Sequence, residues 1–212
     1  EFKTPLSIIN TSLYLLGKSD RPDVRSEHHE RIRVQVRGLS DLVETLVVMS
    51  KLDSGAELTM LPVNLNSVLN QVEVIIKQNF ADRANDITIS TTENMPPVMG
   101  NIDYIEQAIN NLMDNAIRYT ARGQSIFLRT LIDDDYVIVE IEDRGIGIPP
   151  ELHTEIFKRF YRGDEAHSTR GFGLGLPIAR SIMQWHGGDV TVSSTPKVGS
   201  TFRMLFPRVK VQ

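Results

Sequence analysis

Asn111-Leu-Met-Asp-Asn115-Ala-Ile-Arg118, Asp143-Arg-Gly145-Ile-Gly147-Ile148 and Gly171-Phe-Gly173-Leu-Gly175-Leu176 decide how this chain is read. The first stretch lies inside Ile102–Tyr119, where Ile105, Ala108, Ile109, Leu112 and Met113 fall on one face of a helix. Asn111 and Asn115 are four residues apart and share a second face, with Arg118 one turn further on. A carboxamide oxygen is a neutral ligand for magnesium, and a guanidinium can meet a phosphate oxygen. The same stripe would also serve as a solvent-facing polar surface.

In the second stretch Asp143 closes an alternating strand, and Gly145 and Gly147 permit tight bends after it. A carboxylate so placed can accept a hydrogen bond from the exocyclic amine of adenine. It can equally be an ordinary Asp-Gly turn. The glycines of the third stretch run into an apolar helix, Leu174–Trp185, and leave backbone N–H groups free for an anion. A dinucleotide fold would need a strand directly before those glycines, but residues 163–170 are polar and irregular. No Gly-Lys-Ser or Gly-Lys-Thr sequence is present either. Together the three stretches read as one nucleotide pocket.

Outward from them the pattern alternates helix and strand. Leu65–Phe80 has helical spacing with Asn64 or Asn66 as an N-cap, and Ile87–Thr91 alternates as a strand. Ser125–Leu131 and Tyr136–Ile141 are strands about an Asp133-Asp-Asp135 turn. Gly187-Gly188 stops the last helix, and Val190–Val192 and Thr201–Phe206 are the final strands. This predicts a mixed sheet covered by helices on one face. The connection from Asp143 to Gly171 is long for a loop. It carries Phe157, Phe160 and Tyr161 as an apolar plug, with Arg162 and Arg170 able to meet a terminal phosphate. It reads as a lid over the nucleotide or as a surface loop with one short helix.

Residues 1–53 are patterned differently. Phe2, Leu6, Ile9, Leu13 and Leu16 repeat three and four apart, and so do Ile32, Val36, Leu39, Val43 and Leu46 after a polar break containing Pro22. Ser54-Gly-Ala56 is expected to end the second helix, and residues 58–62 to form a linker with a short extended stretch. The fold class is therefore α+β, with a helical hairpin over 1–55, a linker over 56–63 and an α/β sandwich over 64–212. The hairpin either packs on the larger domain or pairs with a second copy into a dimeric four-helix bundle, since so short a unit buries too little alone.

The formal net charge of −4 and the scarcity of aromatics argue against nucleic acid as a partner. The absence of cysteine removes disulfides, thiolate metal sites and a cysteine nucleophile. No apolar run approaches the ~20 residues of a membrane span. A chain opening on Glu1 rather than Met is expected to be part of a longer protein, with any membrane attachment upstream and this portion cytoplasmic.

The ordered trio resembles the N, G1 and G2 boxes of sensor histidine kinases, with Phe157-Lys-Arg-Phe160 in the place of their F box. Glu1-Phe-Lys-Thr-Pro-Leu6 is similar to the phosphotransfer helix of the same family, so the likeness covers essentially the whole chain. It implies a Bergerat-type fold binding ATP and Mg2+, with Asn115 on the metal and Asn111 and Arg118 nearer the phosphates. Tyr119, Gly145, Gly147, Ile148, Phe160, Arg162, Arg170, Gly171, Gly173, Leu174, Gly175 and Leu176 would complete the ATP site. Asp143 would recognise adenine, supported from the last strand by Thr201. The phosphoacceptor histidine of the family immediately precedes the position of Glu1. Glu1 would then handle the imidazole proton, and Thr4 would orient water for dephosphorylating a response regulator's receiver domain. His28, His29, His153, His167 and His186 read as surface or structural residues. The implied activity is autophosphorylation from ATP, then transfer to an aspartate of the regulator. The alternatives are a scaffold module that keeps the fold and transfers nothing, and another Bergerat-fold ATPase or serine kinase.

Overall fold

A computed structural model of the chain describes residues 2–19, 21–53, 59–162 and 172–208. Two helices, α1 (Lys3–Leu16) and α2 (Pro22–Asp53), come first and pack on one another. Pro22 occupies the first position of α2, where its missing N–H costs nothing. Their mutual contact buries Pro5, Ser12 and His28 rather than the heptad residues. Phe2, Leu6, Leu13, Val36 and Val43 are exposed, and Ile9, Leu16, Ile32, Leu39 and Leu46 are half-buried. Half of the apolar seam is thus left exposed to solvent. Further along α2, Leu42 is buried in the main core and Gly38 faces the ring of Phe172.

A five-stranded sheet forms the rest of the frame. Its order is β2 (Ile87–Ser90), β4 (Ile126–Ile132), β5 (Tyr136–Asp143), β7 (Gly199–Pro207), β6 (Asp189–Thr195). β2 runs parallel to β4 and every other pair is antiparallel, so the sheet is mixed. The turn after β4 is held by Asp133, whose Oδ1 accepts from the backbone N–H of Asp135 at 2.9 Å and of Tyr136 at 2.7 Å. A second, small ladder pairs β1 (Leu61–Val63) with β3 (Val98–Gly100). β1 falls where a short extended stretch was expected. β3 carried no pattern long enough to be read as a strand.

Helices α3 (Leu65–Asn79), α4 (Ile102–Tyr119) and α5 (Gly175–Trp185) cover one sheet face. Asn64 caps α3 by accepting from the Asn66 N–H at 2.9 Å. Asn101 caps α4 by accepting from Asp103 and Tyr104. The buried stripe of α4 contains all five residues picked out by periodicity, plus Ala116 and Ile117. It shares one core with Ile126, Leu128, Val139, Ile141, Phe202 and Met204 from the sheet. The opposite face carries a charged ladder in which Glu140, 4% exposed, accepts from Arg129 at 3.1 Å and Arg203 at 2.7 Å. Covering one face with apolar helices leaves the other to be satisfied by ion pairs.

Candidate functional site

α4 is the spine of the site. Asn111 and Asn115 are half-buried on its open side, and Arg118 is exposed at its end. The Nδ2 of Asn111 is buried without a hydrogen-bond partner among the described residues, an orphan donor that a ligand would satisfy. Its Oδ1 lies 3.7 Å from where a Cβ on Gly175 would stand, so the first residue of α5 rests against it. From Asn111 to Tyr119 the helix rises about 12 Å, at ~1.5 Å per residue. Two different features stand along it, one at its C-terminal end and one at its middle.

At the Tyr119 end stands Asp143, the last residue of β5. It is 6% exposed, and its Oδ1 accepts from the Gly145 N–H at 2.8 Å. Burial pushes this carboxyl above its usual range, while hydrogen bonds from Gly145 and Ser200 pull the other way. The turn that follows is pinned on both sides. Ile146 N–H donates to the Tyr119 carbonyl at 3.2 Å, and Ile148 N–H donates to the Ser194 hydroxyl at 2.8 Å. Gly147 sits at φ +69°, where a side chain would be strained and its Cβ would strike the Thr195 carbonyl. A Cβ on Gly145 would strike the Tyr119 carbonyl. Backbone is packed here too closely for any other residue, against a buried acceptor. This arrangement suits a flat heterocycle that presents an amine.

Beside Asn111, midway along α4, stands α5. Its N-cap residue, Leu174, is buried in the core and makes no side-chain cap bond to the first N–H groups of α5. Leu176 is half-buried beside it. Gly173 sits at φ +67°, and its carbonyl accepts from Phe160 N–H at 3.0 Å. That bond ties the stretch after the 3-10 turn Glu155–Phe157 to the glycine loop. Phe160 is exposed, Tyr161 and Arg162 are half-buried, and Phe157 lies under the Arg180 guanidinium at 4.8 Å.

A family model described as "Histidine kinase-, DNA gyrase B-, and HSP90-like ATPase" matches residues 100–210, more than half of the chain. The chain belongs to this family. Over 212 residues it is 32% identical to the sensor-like histidine kinase SenX3 of Mycobacterium tuberculosis, covering 98% of this chain and 51% of SenX3. It is 31% identical over 210 residues to the heme sensor protein HssS of Staphylococcus saprophyticus, covering 99% of this chain and 45% of HssS. The solved structure of histidine kinase ThkA in complex with response regulator protein TrrA superposes with a TM-score of 0.76 at 25% identity. That match covers 98% of this chain and 59% of the ThkA chain. The chain spans about half the length of the curated relatives it matches.

The ATP-binding domain of a sensor histidine kinase therefore begins its match at Gly100, directly before α4. Asp143, Gly145, Gly147, Ile148 and Tyr119 are brought together at the C-terminal end of α4, and Asn111 and Gly175 meet midway along it. Thr201 does not join them. In the β5–β7 register Thr201 stands opposite Glu142, whereas Ser200 stands opposite Asp143 and hydrogen-bonds its carboxylate. Ser194 supports Ser200 in turn, at 3.0 Å. The signal was present in Gly199-Ser-Thr-Phe202. Alternation puts Ser200 on the same side as the buried Phe202, and Thr201 on the other.

Thr4 is exposed on α1. Glu1, His167, Arg170 and Gly171 lie outside the described residues. Of the other histidines, His186 is structural. Its Nδ1 faces the Ile182 carbonyl at 2.7 Å and its Nε2 faces the Asn101 N–H at 3.0 Å, which makes Nδ1 the donor and Nε2 the acceptor. Burial holds its pKa below the ordinary value. His28 is buried on α2, with no hydrogen-bond partner for Nδ1 among the described residues. Among the described residues no cluster of three His, Asp or Glu could hold a metal ion. A magnesium ion here would lean on one carboxamide and on the nucleotide's own phosphates, a donor set that suits this ion. No helix among the described residues is long and apolar enough to cross a membrane.

Proposed function

We propose that this chain is the dimeric catalytic core of a sensor histidine kinase, transferring phosphate from ATP to a histidine and then to an aspartate of a response regulator. The observation that carries the nucleotide assignment is the buried Asp143 carboxylate beyond the C-terminal end of α4 together with the Asn111 amide, unpartnered among the described residues, midway along that helix. Asp143 would accept the adenine amine, with Ser200 and Gly145 fixing the carboxylate. Asn111, Arg118 and the N-terminus of α5 would hold the phosphates, and Phe160, Arg162 and the Arg170–Gly171 segment would close over them. Asn115 would hold Mg2+, whose charge offsets that of the phosphates when bound.

The acceptor imidazole, which the family pattern puts immediately before Glu1, must be unprotonated at its attacking nitrogen. Glu1 would hold the proton of the other nitrogen. Thr4, exposed one helical turn along α1, would orient water when the regulator is dephosphorylated. The exposed seam of Phe2, Leu6, Leu13, Val36 and Val43 supports pairing of two hairpins, because contiguous apolar surface of this kind marks an interface. ThkA, solved with a response regulator, supports a receiver domain as the partner.

The test is a chain carrying a histidine before Glu1, incubated with ATP and Mg2+. The expected product is acid-labile, base-stable phosphate on that histidine, transferable to an isolated receiver domain. ATP binding with no label would favour a scaffold role. Label appearing on the 1–212 chain itself would move the acceptor to one of its five histidines.

A further inference from the structure

Arg83 is a cation buried at the site's edge that neither the family likeness nor the residue pattern brought forward. It stands before the 3-10 turn Ala84–Asp86 and is 8% exposed. Its Nη1 donates to the Ile117 carbonyl at 3.1 Å, and its Nη2 to the carbonyls of Thr120 at 3.1 Å and Ala121 at 3.4 Å. Nε donates to Asp86 Oδ2 at 2.8 Å, and the same oxygen accepts from the Gly123 N–H at 3.1 Å. Those bonds, Gly123 first, hold the Asp86 carboxyl below its ordinary value.

The last carbonyls of a helix have no partner within it, and a cation beside them is also favoured by the helix dipole. Two of these carbonyls at the end of α4 have named takers. Ile117 is taken by Arg83, and Tyr119 by Ile146 N–H from the turn after Asp143. The helix end is thus gripped from one side by Arg83 and grips the Gly145–Gly147 turn with the other.

We infer that Arg83 is a positioning residue for the adenine end of the nucleotide site. By fixing the last turn of α4 it sets where the Tyr119 carbonyl holds Ile146, and so where the Asp143 carboxylate stands. It touches no ligand itself. The inference rests on the nucleotide reading above. Arginine is required because a planar fork can reach carbonyls on two successive turns while keeping the bond to Asp86, and a lysine ammonium cannot.

The test is Arg83→Lys in the 1–212 chain, with adenosine, ADP, and ATP with and without Mg2+ titrated by calorimetry. Adenosine and ADP should weaken by the same factor, about three- to tenfold, while the gain in ATP affinity on adding Mg2+ stays as in wild type. A lowered melting temperature with unchanged affinities would make Arg83 a stabilising residue only and overturn the inference. A loss confined to the Mg2+-dependent part would also overturn it. Should Arg83→Lys not fold, Asp86→Asn carries the test. It loosens the Nε anchor, keeps an acceptor for Gly123, and should weaken adenosine and ADP alike by about two- to fivefold; unchanged affinities there overturn the inference. Wild type failing to bind adenosine and ADP at all would instead sink the nucleotide reading itself.

Discussion

Replacing Asp143 by Asn separates recognition from stability at a single atom. In the structure Oδ1 is occupied by Gly145 N–H, and Ser200 donates to the same carboxylate. An asparagine must keep its oxygen toward those donors, which leaves its NH2 facing the ligand. The amine of adenine would then meet a donor. The loss is a hydrogen bond to a charged acceptor, worth about 1.5–3 kcal/mol net. That corresponds to a roughly ten- to 150-fold fall in nucleotide affinity.

Stability should move the other way. Burial raises the folded-state pKa of Asp143 above its value in the unfolded chain. The folded state therefore binds the proton more tightly, and stability falls as pH rises from the ordinary value near 3.8 through the raised one. At neutral pH the ionised carboxylate is a net cost that the neutral amide of the Asp143→Asn variant would not carry. The expected result is an ADP affinity reduced by at least tenfold, roughly 1.4 kcal/mol, with a melting temperature equal to or above wild type. Calorimetric titration and thermal unfolding of the same sample measure both. An affinity within threefold of wild type, about 0.65 kcal/mol, would refute the adenine assignment. A large drop in melting temperature would refute the desolvation argument.

Ser200→Ala should weaken ADP binding several-fold while Thr201→Ala leaves it unchanged, and the reverse order would contradict the register reading. Gly147→Ala should cost about 1–3 kcal/mol from the left-handed backbone alone, lowering the melting temperature by several degrees in differential scanning calorimetry; an unshifted transition would count against the close packing at Thr195. His186 is held neutral by burial, so its folded-state pKa lies below the ordinary 6.5. The unfolded chain then binds more protons, and stability is full above pH 6.5 and declines as pH falls toward the lowered value. Urea midpoints from about pH 8 to 5 should show this decline, and it should shrink in His186→Gln. An identical decline in that variant would assign it to other groups.

What the sequence disclosed and what it withheld follow one physical line. α4 was legible because its burial repeats every three or four residues over five turns, so Ile105 through Met113 declare the inward face and Asn111 and Asn115 the open one. Asp143 was legible because its two glycines answer a local demand for close backbone approach. β3 was not, and β1 only as a short extended stretch, since three residues hold too little alternation to distinguish a strand from a linker, and what makes Val63 and Val98 a pair is the core beneath them.

The Thr201 expectation failed by one residue, and in a strand one residue reverses the face. The neighbouring Phe202 had the information, because an apolar residue fixes the inward set on which Ser200 also lies. Arg83 could not have been found that way at all. Its partners Ile117, Thr120 and Ala121 are 34 to 38 residues ahead of it, and they are backbone carbonyls that carry no residue identity. A motif reports side chains that meet the ligand. The backbone clamps that hold those side chains in register become visible only when helix ends are asked where each of their carbonyls goes. In this domain that question leads from Tyr119 to the turn after Asp143, and from Ile117 to Arg83.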